Sequence, residues 1–162
     1  MQRLWSPWRS VYIDSGGPDS KEIGCVFCYL RDHASDDEQN YVLHRGSHNL
    51  VVLNLYPYIS GHLMVVPYEH VAELDGASKD TTDEMMDLAK RSQTALRSAY
   101  SPEGYNLGMN LGKAAGAGIA DHLHIHVMPR WAGDTNFMTS VAETRVLPED
   151  LATTYQKLRA RF

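Results

Sequence analysis

The chain predicts an α+β fold: an antiparallel meander sheet with one long helix and a C-terminal helix. Three observations predict it. Short runs rich in apolar residues, bounded by Gly, Pro and Asn, recur over residues 41–66 and again over 104–130, as strands do. Between them Met85, Leu88, Ala89, Ser92, Leu96 and Ala99 fall near i, i+3, i+4 spacing, the apolar stripe of a helix. After Pro148, the positions of Leu151, Tyr155 and Leu158 mark a last helix. A chain of 162 residues is one domain by length and long enough to bury a real core. It is read as a single domain over 1–162, with an aromatic arm and loop at 1–20 and the core and C-terminal extension at 21–162.

Taken in order, the arm carries Trp5, Pro7, Trp8, Tyr12 and Ile13, too aromatic for a free tail, and is expected to pack on the body or on a partner subunit. Residues 14–20, with two glycines and a proline, form a loop. Cys25 and Cys28 follow, with Phe27 between them either filling core or touching a base. The acidic run at 32–40 reads as a solvated loop in which His33 is exposed and idle. Residues 41–45 and 48–54 read as strands joined at Gly46, and 62–66 as the next strand, after a Pro- and Gly-marked turn. The long helix spans 80–100, with Thr81 and Glu84 resembling a capping box. Residues 104–111 alternate Tyr105, Leu107, Met109 and Leu111 against Asn106, Gly108 and Asn110, a half-buried strand. A glycine-rich loop then leads into a histidine-bearing strand, forming a hairpin, and Gly133 to Phe137 is a surface segment.

Composition excludes several classes of function. A hydrophobic content of 43% with 22% charged residues is ordinary for a globular protein. The formal net charge of −5 argues against an extended nucleic-acid groove, which needs many Lys and Arg contacts to phosphate. Any anionic ligand is therefore small and locally held. No apolar run approaches the ~20 residues needed to span a bilayer. Two cysteines, with no signal-like apolar segment at the start, point to a reducing cytoplasm rather than a disulfide framework.

Three motifs carry chemistry. His122, His124 and His126 alternate with Leu123, Ile125 and Val127, so in a strand the imidazoles share one face and the apolar residues turn to the core. Such a row of imidazoles holds a metal, attacks phosphorus or passes a proton. Upstream, the small-residue loop from Asn110 through Lys113, Gly116, Ala117 and Gly118 to Ile119 lets a ligand approach backbone amides, as an anion cradle requires. It is not a P-loop, since no Gly-Lys-Ser/Thr ending or helical pattern follows; a plain hairpin loop is the alternative. The Cys25/Cys28 spacing fits half a zinc site or a redox pair. With no second cysteine pair, histidines must complete a four-ligand zinc site.

The run His122-Leu-His124-Ile-His126-Val-Met resembles the signature of the histidine triad (HIT) family of nucleotidyl hydrolases and transferases. Asn54 to Pro67, the Asn110 to Gly118 loop, Pro129-Arg130-Trp131 and the opening Arg3 to Arg9 resemble a bacterial branch that contains diadenosine tetraphosphate phosphorylases. The resemblance spans nearly the whole chain and implies a HIT-like fold. It implies His124 as the nucleophile, with His126, Asn110 and the Gly116, Ala117 and Gly118 groups holding phosphate oxygens. Asn54 would bind ribose hydroxyls, Val52 and Leu55 would flank the base, and His62 would support the site by hydrogen bonding. By the same matching His70 joins Cys25, Cys28 and His122 around a structural Zn2+, with His44 and His48 as rival ligands. The implied partners are a nucleotide substrate, phosphate or water as acceptor, and a second copy in a homodimer. At one point the sequence departs: the phosphorylase pattern carries a Ser where this chain has Gly118. Hydrolysis of dinucleoside polyphosphates or adenosine phosphoramidates therefore stands as an alternative, and a zinc-containing nucleotide-binding module with little turnover as a second.

Overall fold

The structure, a computed structural model, describes residues 24–134 and 147–162. The aromatic arm and most of the predicted surface segment at 133–137 lie outside the described residues. A short helix α1 (Val26–Asp32) is followed by strands β1 (Val42–Arg45), β2 (Asn49–Leu53) and β3 (Leu63–Pro67). The long helix α2 (Lys79–Tyr100), strands β4 (Gly104–Gly108) and β5 (Ile125–Arg130), and helix α3 (Leu151–Arg159) complete the order. The five strands form one antiparallel sheet in the order β1-β2-β3-β5-β4. The first three make the expected meander. The chain then crosses through α2, and the β4–β5 hairpin inserts β5 beside β3, with Met64 opposite His126.

Strand alternation divides the core in two. Leu43, Val51, Leu53, Leu63, Val65, Ile125 and Val127 face α2 and α3, whereas Val42, Leu50, Val52, Met64 and Val66 face α1 through Phe27 and Leu30. Burial on both faces explains why β2 and β3 read as nearly continuous apolar runs. Met85, Leu88, Ala89 and Leu96 supply the buried stripe of α2, as the helical spacing predicts.

Several local expectations are corrected. The N-cap of α2 is Ser78, whose Oγ accepts from the Thr81 N–H at 3.2 Å; Thr81 is itself buried in the first turn. Glu84 does not close a capping box. Its carboxylate accepts from the Ser47 and His48 N–H groups, each at 2.7 Å, and from Asn49 Nδ2 at 2.8 Å, pinning the β1–β2 turn to the helix. A Cβ on Gly46 would stand 2.7 Å from that carboxylate, so a larger residue there would push Glu84 off these donors. Strand β4 is shorter than predicted and its alternation is not half-buried: Leu107 is 46% exposed, because β4 is an edge strand and α2 lies over β2, β3 and β5. Helix α1 falls where no helix was expected, and the acidic loop contains a 3-10 turn at Ala34–Asp36. Helix α3 starts at an Asp150 cap whose carboxylate accepts from the Thr153 N–H at 2.7 Å.

Candidate functional site

The histidine stretch enters the sheet late. β5 begins at Ile125, so only His126 lies within the ladder, and His122 and His124 occupy the extended approach to it. That approach is held by a 2.6 Å bond from the Leu123 N–H to the Val71 carbonyl, which lays the segment after β3, with His70, beside the segment before β5. Leu123, Ile125 and Val127 enter the core beneath α2, and the three histidines turn to the opposite face. They are more enclosed than a half-exposed strand would make them: His122 is 1%, His124 5% and His126 7% exposed.

The imidazoles form part of a continuous row of rings. His70 meets His122 at a centroid distance of 5.0 Å, and Phe27 touches both His122 at 5.3 Å and His124 at 5.1 Å. His124 meets His126 at 4.8 Å, and His126 meets His62 at 5.0 Å.

Hydrogen bonds assign a proton to each ring. A carbonyl oxygen only accepts, so His124 donates its Nδ1–H to the His122 carbonyl at 3.0 Å, which leaves the lone pair on Nε2. Likewise His122 donates Nε2–H to the Pro67 carbonyl at 2.9 Å, which turns the Nδ1 lone pair toward the cysteines. The Tyr58 N–H donates to His62 Nδ1 at 3.2 Å, so His62 holds its proton on Nε2 and donates it to His126 Nδ1 at 2.9 Å. His126 then presents its own proton on Nε2. Burial, with the neighbouring His126 and His124 adding to it, pushes His62 down to about 3, and burial lowers His124 from its ordinary value against the opposing effect of the His122 carbonyl.

At the other end of the row, Cys25, Cys28, His70 and His122 each offer one donor atom, all within 4.8 Å of one another. Cys25 Sγ lies 3.3 Å and Cys28 Sγ 3.8 Å from His122 Nδ1, Cys28 Sγ lies 3.2 Å from His70 Nδ1, and the two Nδ1 atoms are 3.2 Å apart. A tetrahedron with metal–S of about 2.3 Å and metal–N of about 2.0 Å has edges of roughly 3.3–3.8 Å. The donor set therefore fits a tetrahedral ion. Burial and the adjacent Cys25 push the Cys28 thiol up from its ordinary value, the behaviour of paired thiols that a cation would relieve. Of the rival ligands, His44 turns to Arg91, 3.1 Å from its Nε2, and His48 is exposed beside the Glu84 turn. His33, expected to be idle, stacks on Tyr29 at 4.0 Å.

The remaining predicted residues divide. Phe27 is 2% exposed and packs on the two histidines instead of presenting an open face. Val52 shares its apolar cluster, whereas Leu55 is 43% exposed. Asn54 accepts from the Tyr56 N–H at 2.9 Å and brings its amide to 3.4 Å from His62 Nδ1, so it shapes the turn that supports His62. In the glycine loop the Gly116 N–H is turned onto the Lys113 carbonyl at 3.0 Å and the Ala117 N–H onto the Gly112 carbonyl at 3.4 Å. These two amides are thus engaged by the loop's own 3-10 turn. Asn110 is half-buried and Gly118 exposed, and Ile119 anchors the loop on the Phe27 cluster.

Sequence reasoning missed the backbone partners: the Pro67 carbonyl, the Tyr58 N–H and the Val71 carbonyl. It also missed α1, whose one signal was the i, i+3 pair Phe27 and Leu30.

The chain is similar to known proteins. The family model described as the HIT domain matches residues 36–133. A protein named AP-4-A phosphorylase from Mycobacterium tuberculosis is 38% identical over 166 aligned residues, covering 100% of this chain and 85% of its own length. Adenosine 5'-monophosphoramidase from Schizosaccharomyces pombe is 26% identical, covering 80% of this chain and 97% of its own length. Among solved structures, a Zn-bound histidine triad family protein from Mycobacterium smegmatis matches with a TM-score of 0.68 at 28% identity, over 85% of this chain and 92% of its own.

Proposed function

Because this chain belongs to the HIT domain family, we propose that it is a nucleotidyltransferase that splits diadenosine tetraphosphate with inorganic phosphate into ATP and ADP. The observation that carries the reading is the 3.0 Å bond from His124 Nδ1–H to the His122 carbonyl, which frees Nε2 as a neutral nucleophile. The likeness, over all of this chain and 85% of the relative, to a protein named AP-4-A phosphorylase supports the substrate and the acceptor.

In the first step His124 Nε2 attacks the α-phosphorus; the N–P bond forms, the P–O bond to the rest of the chain breaks, and ATP leaves with the bond's electron pair. His126 Nε2–H, oriented by His62, donates to a non-bridging oxygen and holds the charge that develops there. Phosphate then attacks the nucleotidyl-histidine from solution, His124 departs, and ADP is released. Asn110 and the Gly118 N–H complete the oxygen contacts, Asn54 binds ribose, and Val52 and Leu55 flank the base. Cys25, Cys28, His70 and His122 hold a structural Zn2+, a reading supported by their spacing and by the Zn-bound neighbour. The ion fixes the geometry of its ligands and takes no part in the steps above.

Two wider features belong to the same reading. Edge strand β4, with Leu107 46% exposed, and the loop after it, with Leu111 37% exposed, offer pairing groups and apolar surface for a homodimer, which light scattering tests. Residence in the cytoplasm accords with two cysteines that form no disulfide; no described helix is long and apolar enough to cross a membrane.

A second reading, hydrolysis, is favoured by Gly118, which lacks the hydroxyl of the phosphorylase pattern, and by the phosphoramidase relative. Incubation with diadenosine tetraphosphate, with and without phosphate, followed by chromatography, decides. ADP formed only with phosphate supports the transferase, AMP formed without phosphate supports the hydrolase, and tight binding with no product supports a nucleotide-binding module.

A further inference from the structure

The two cysteines of the cluster lie at the start of α1, and Phe27 sits between them. The C-terminal end of α1 is tied down independently. Arg45 donates to the Leu30 carbonyl at 2.6 Å and to the Arg31 carbonyl at 3.3 Å, and Arg31 donates to the Tyr68 carbonyl at 3.1 Å. At the N-terminal end, Cys25 and Cys28 meet His70 and His122, and Phe27, with Cys25 and Val26 beside it, packs in the apolar cluster of Leu50, Val52, Met64 and Val66. Whatever draws these four ligands together therefore presses the first turn of α1, and with it the Phe27 ring, onto His122 and His124.

From this juxtaposition we infer that Phe27 is a positioning residue that couples filling of the Cys25/Cys28/His70/His122 centre to the orientation of His124. The assignment rests on the function proposed above for its effect on turnover, but not for its effect on the ring. Two contacts reach His124 from the centre. The carbonyl of His122 accepts the His124 Nδ1–H at 3.0 Å, which fixes one edge of the ring. The Phe27 ring, tilted at 55° and 5.1 Å from His124, restrains the ring's rotation about that bond. The same Phe27 ring stands edge-on to His122 at 74°, so one side chain wedges the metal ligand and the nucleophile together. With the centre empty, the four ligands are joined by weak thiol–imidazole contacts alone while the apolar seat of Phe27 remains; the press on the ring slackens, and His124 samples both tautomers. A misplacement of the attacking atom by about 1 Å is enough to cost on the order of 10²-fold in rate.

The experiment uses the full chain labelled with 15N-histidine, stripped with a chelator and titrated with Zn2+ alone. The expected result is that His124, identified by loss of its signals in His124→Ala, passes from an averaged pattern to a single Nδ1–H tautomer as the centre fills. Phe27→Ala is expected to bind zinc as the parent does, yet leave His124 averaged and lower kcat about tenfold or more with KM little changed. Phe27→Leu, which keeps apolar volume, is expected to recover most of both. A His124 pattern indifferent to zinc in the parent overturns the coupling, as does a zinc-loaded Phe27→Ala with the parent's pattern. If Phe27→Ala is too unstable to study, the parent titration and Phe27→Leu decide. A chain that shows the zinc-dependent tautomer but no phosphorolysis refutes the proposed function and leaves the coupling standing; phosphorolysis with an indifferent ring does the reverse.

Discussion

Replacing His62 by Gln should flatten the acid limb of the protein's stability curve. His62 is 1% exposed, and burial brings it from an ordinary 6.5 down to about 3. Protonation would also set a second N–H, on Nδ1, against the Tyr58 N–H that His62 Nδ1 accepts, while Nε2–H goes on donating to His126 Nδ1. The unfolded chain binds a proton here below 6.5, whereas the folded chain resists until about 3. Stability from this group is therefore complete above pH 6.5 and is lost as pH falls through that window, by about 1.4 kcal/mol per pH unit. Between pH 7.5 and 4.5 the loss is about 3 kcal/mol. Urea unfolding of parent and His62→Gln at matched pH and metal content measures it, because other titrating groups cancel in the difference. The parent should lose about 3 kcal/mol more than the variant over that interval. A difference below about 0.5 kcal/mol, inside the usual error of extrapolation, would show that His62 is not held neutral and that the tautomer assigned to His126 has lost its support.

Other consequences follow from the same geometry. His124→Ala removes the nucleophile and should lower turnover by about 10³-fold or more while the affinity for AMP, measured by calorimetry, changes little; turnover retained within tenfold would refute the assignment. Purified protein should carry one zinc per chain by elemental analysis, and Cys28→Ser should cut that sharply and lower the melting temperature; parent protein with well under one equivalent would count against the four-ligand centre. Gly61 adopts φ +79°, and an added Cβ would stand 2.9 Å from Leu96 Cδ2 and 3.3 Å from Pro129 Cγ. Gly61→Ala should therefore destabilise by about 2–4 kcal/mol through backbone strain and overpacking, and a loss under about 0.5 kcal/mol by chemical denaturation would contradict the packing described around that turn.

Much of this was legible because local rules decide it. The helix from Lys79 to Tyr100 declares itself by spacing, and β2 and β3 by uninterrupted apolar runs. Other features were misread where two local signals competed. Ser78 and Thr81 both suit a helix start, and only the extended backbone at Ser78 settles which one caps. Tyr105 and Leu107 alternate alike in the chain, yet Leu107 is exposed because, among the described residues, no helix covers the outer edge of β4. The α1 helix escaped notice because seven residues hold too few turns for a periodic signal, and its stability comes from seating Phe27 and Leu30 on the sheet.

By itself the amino-acid order determined that three imidazoles alternate with core residues, since the strand period follows from backbone geometry alone, and that two thiols stand three residues apart, the spacing of a metal pair. Tertiary structure decided what each imidazole does. Cys25 meets His122 across 97 residues of chain, His70 meets it across 52, and His62 meets His126 across 64. Those partners are chosen by the insertion of β5 beside β3, a sheet order that the chain's local periodicity does not encode.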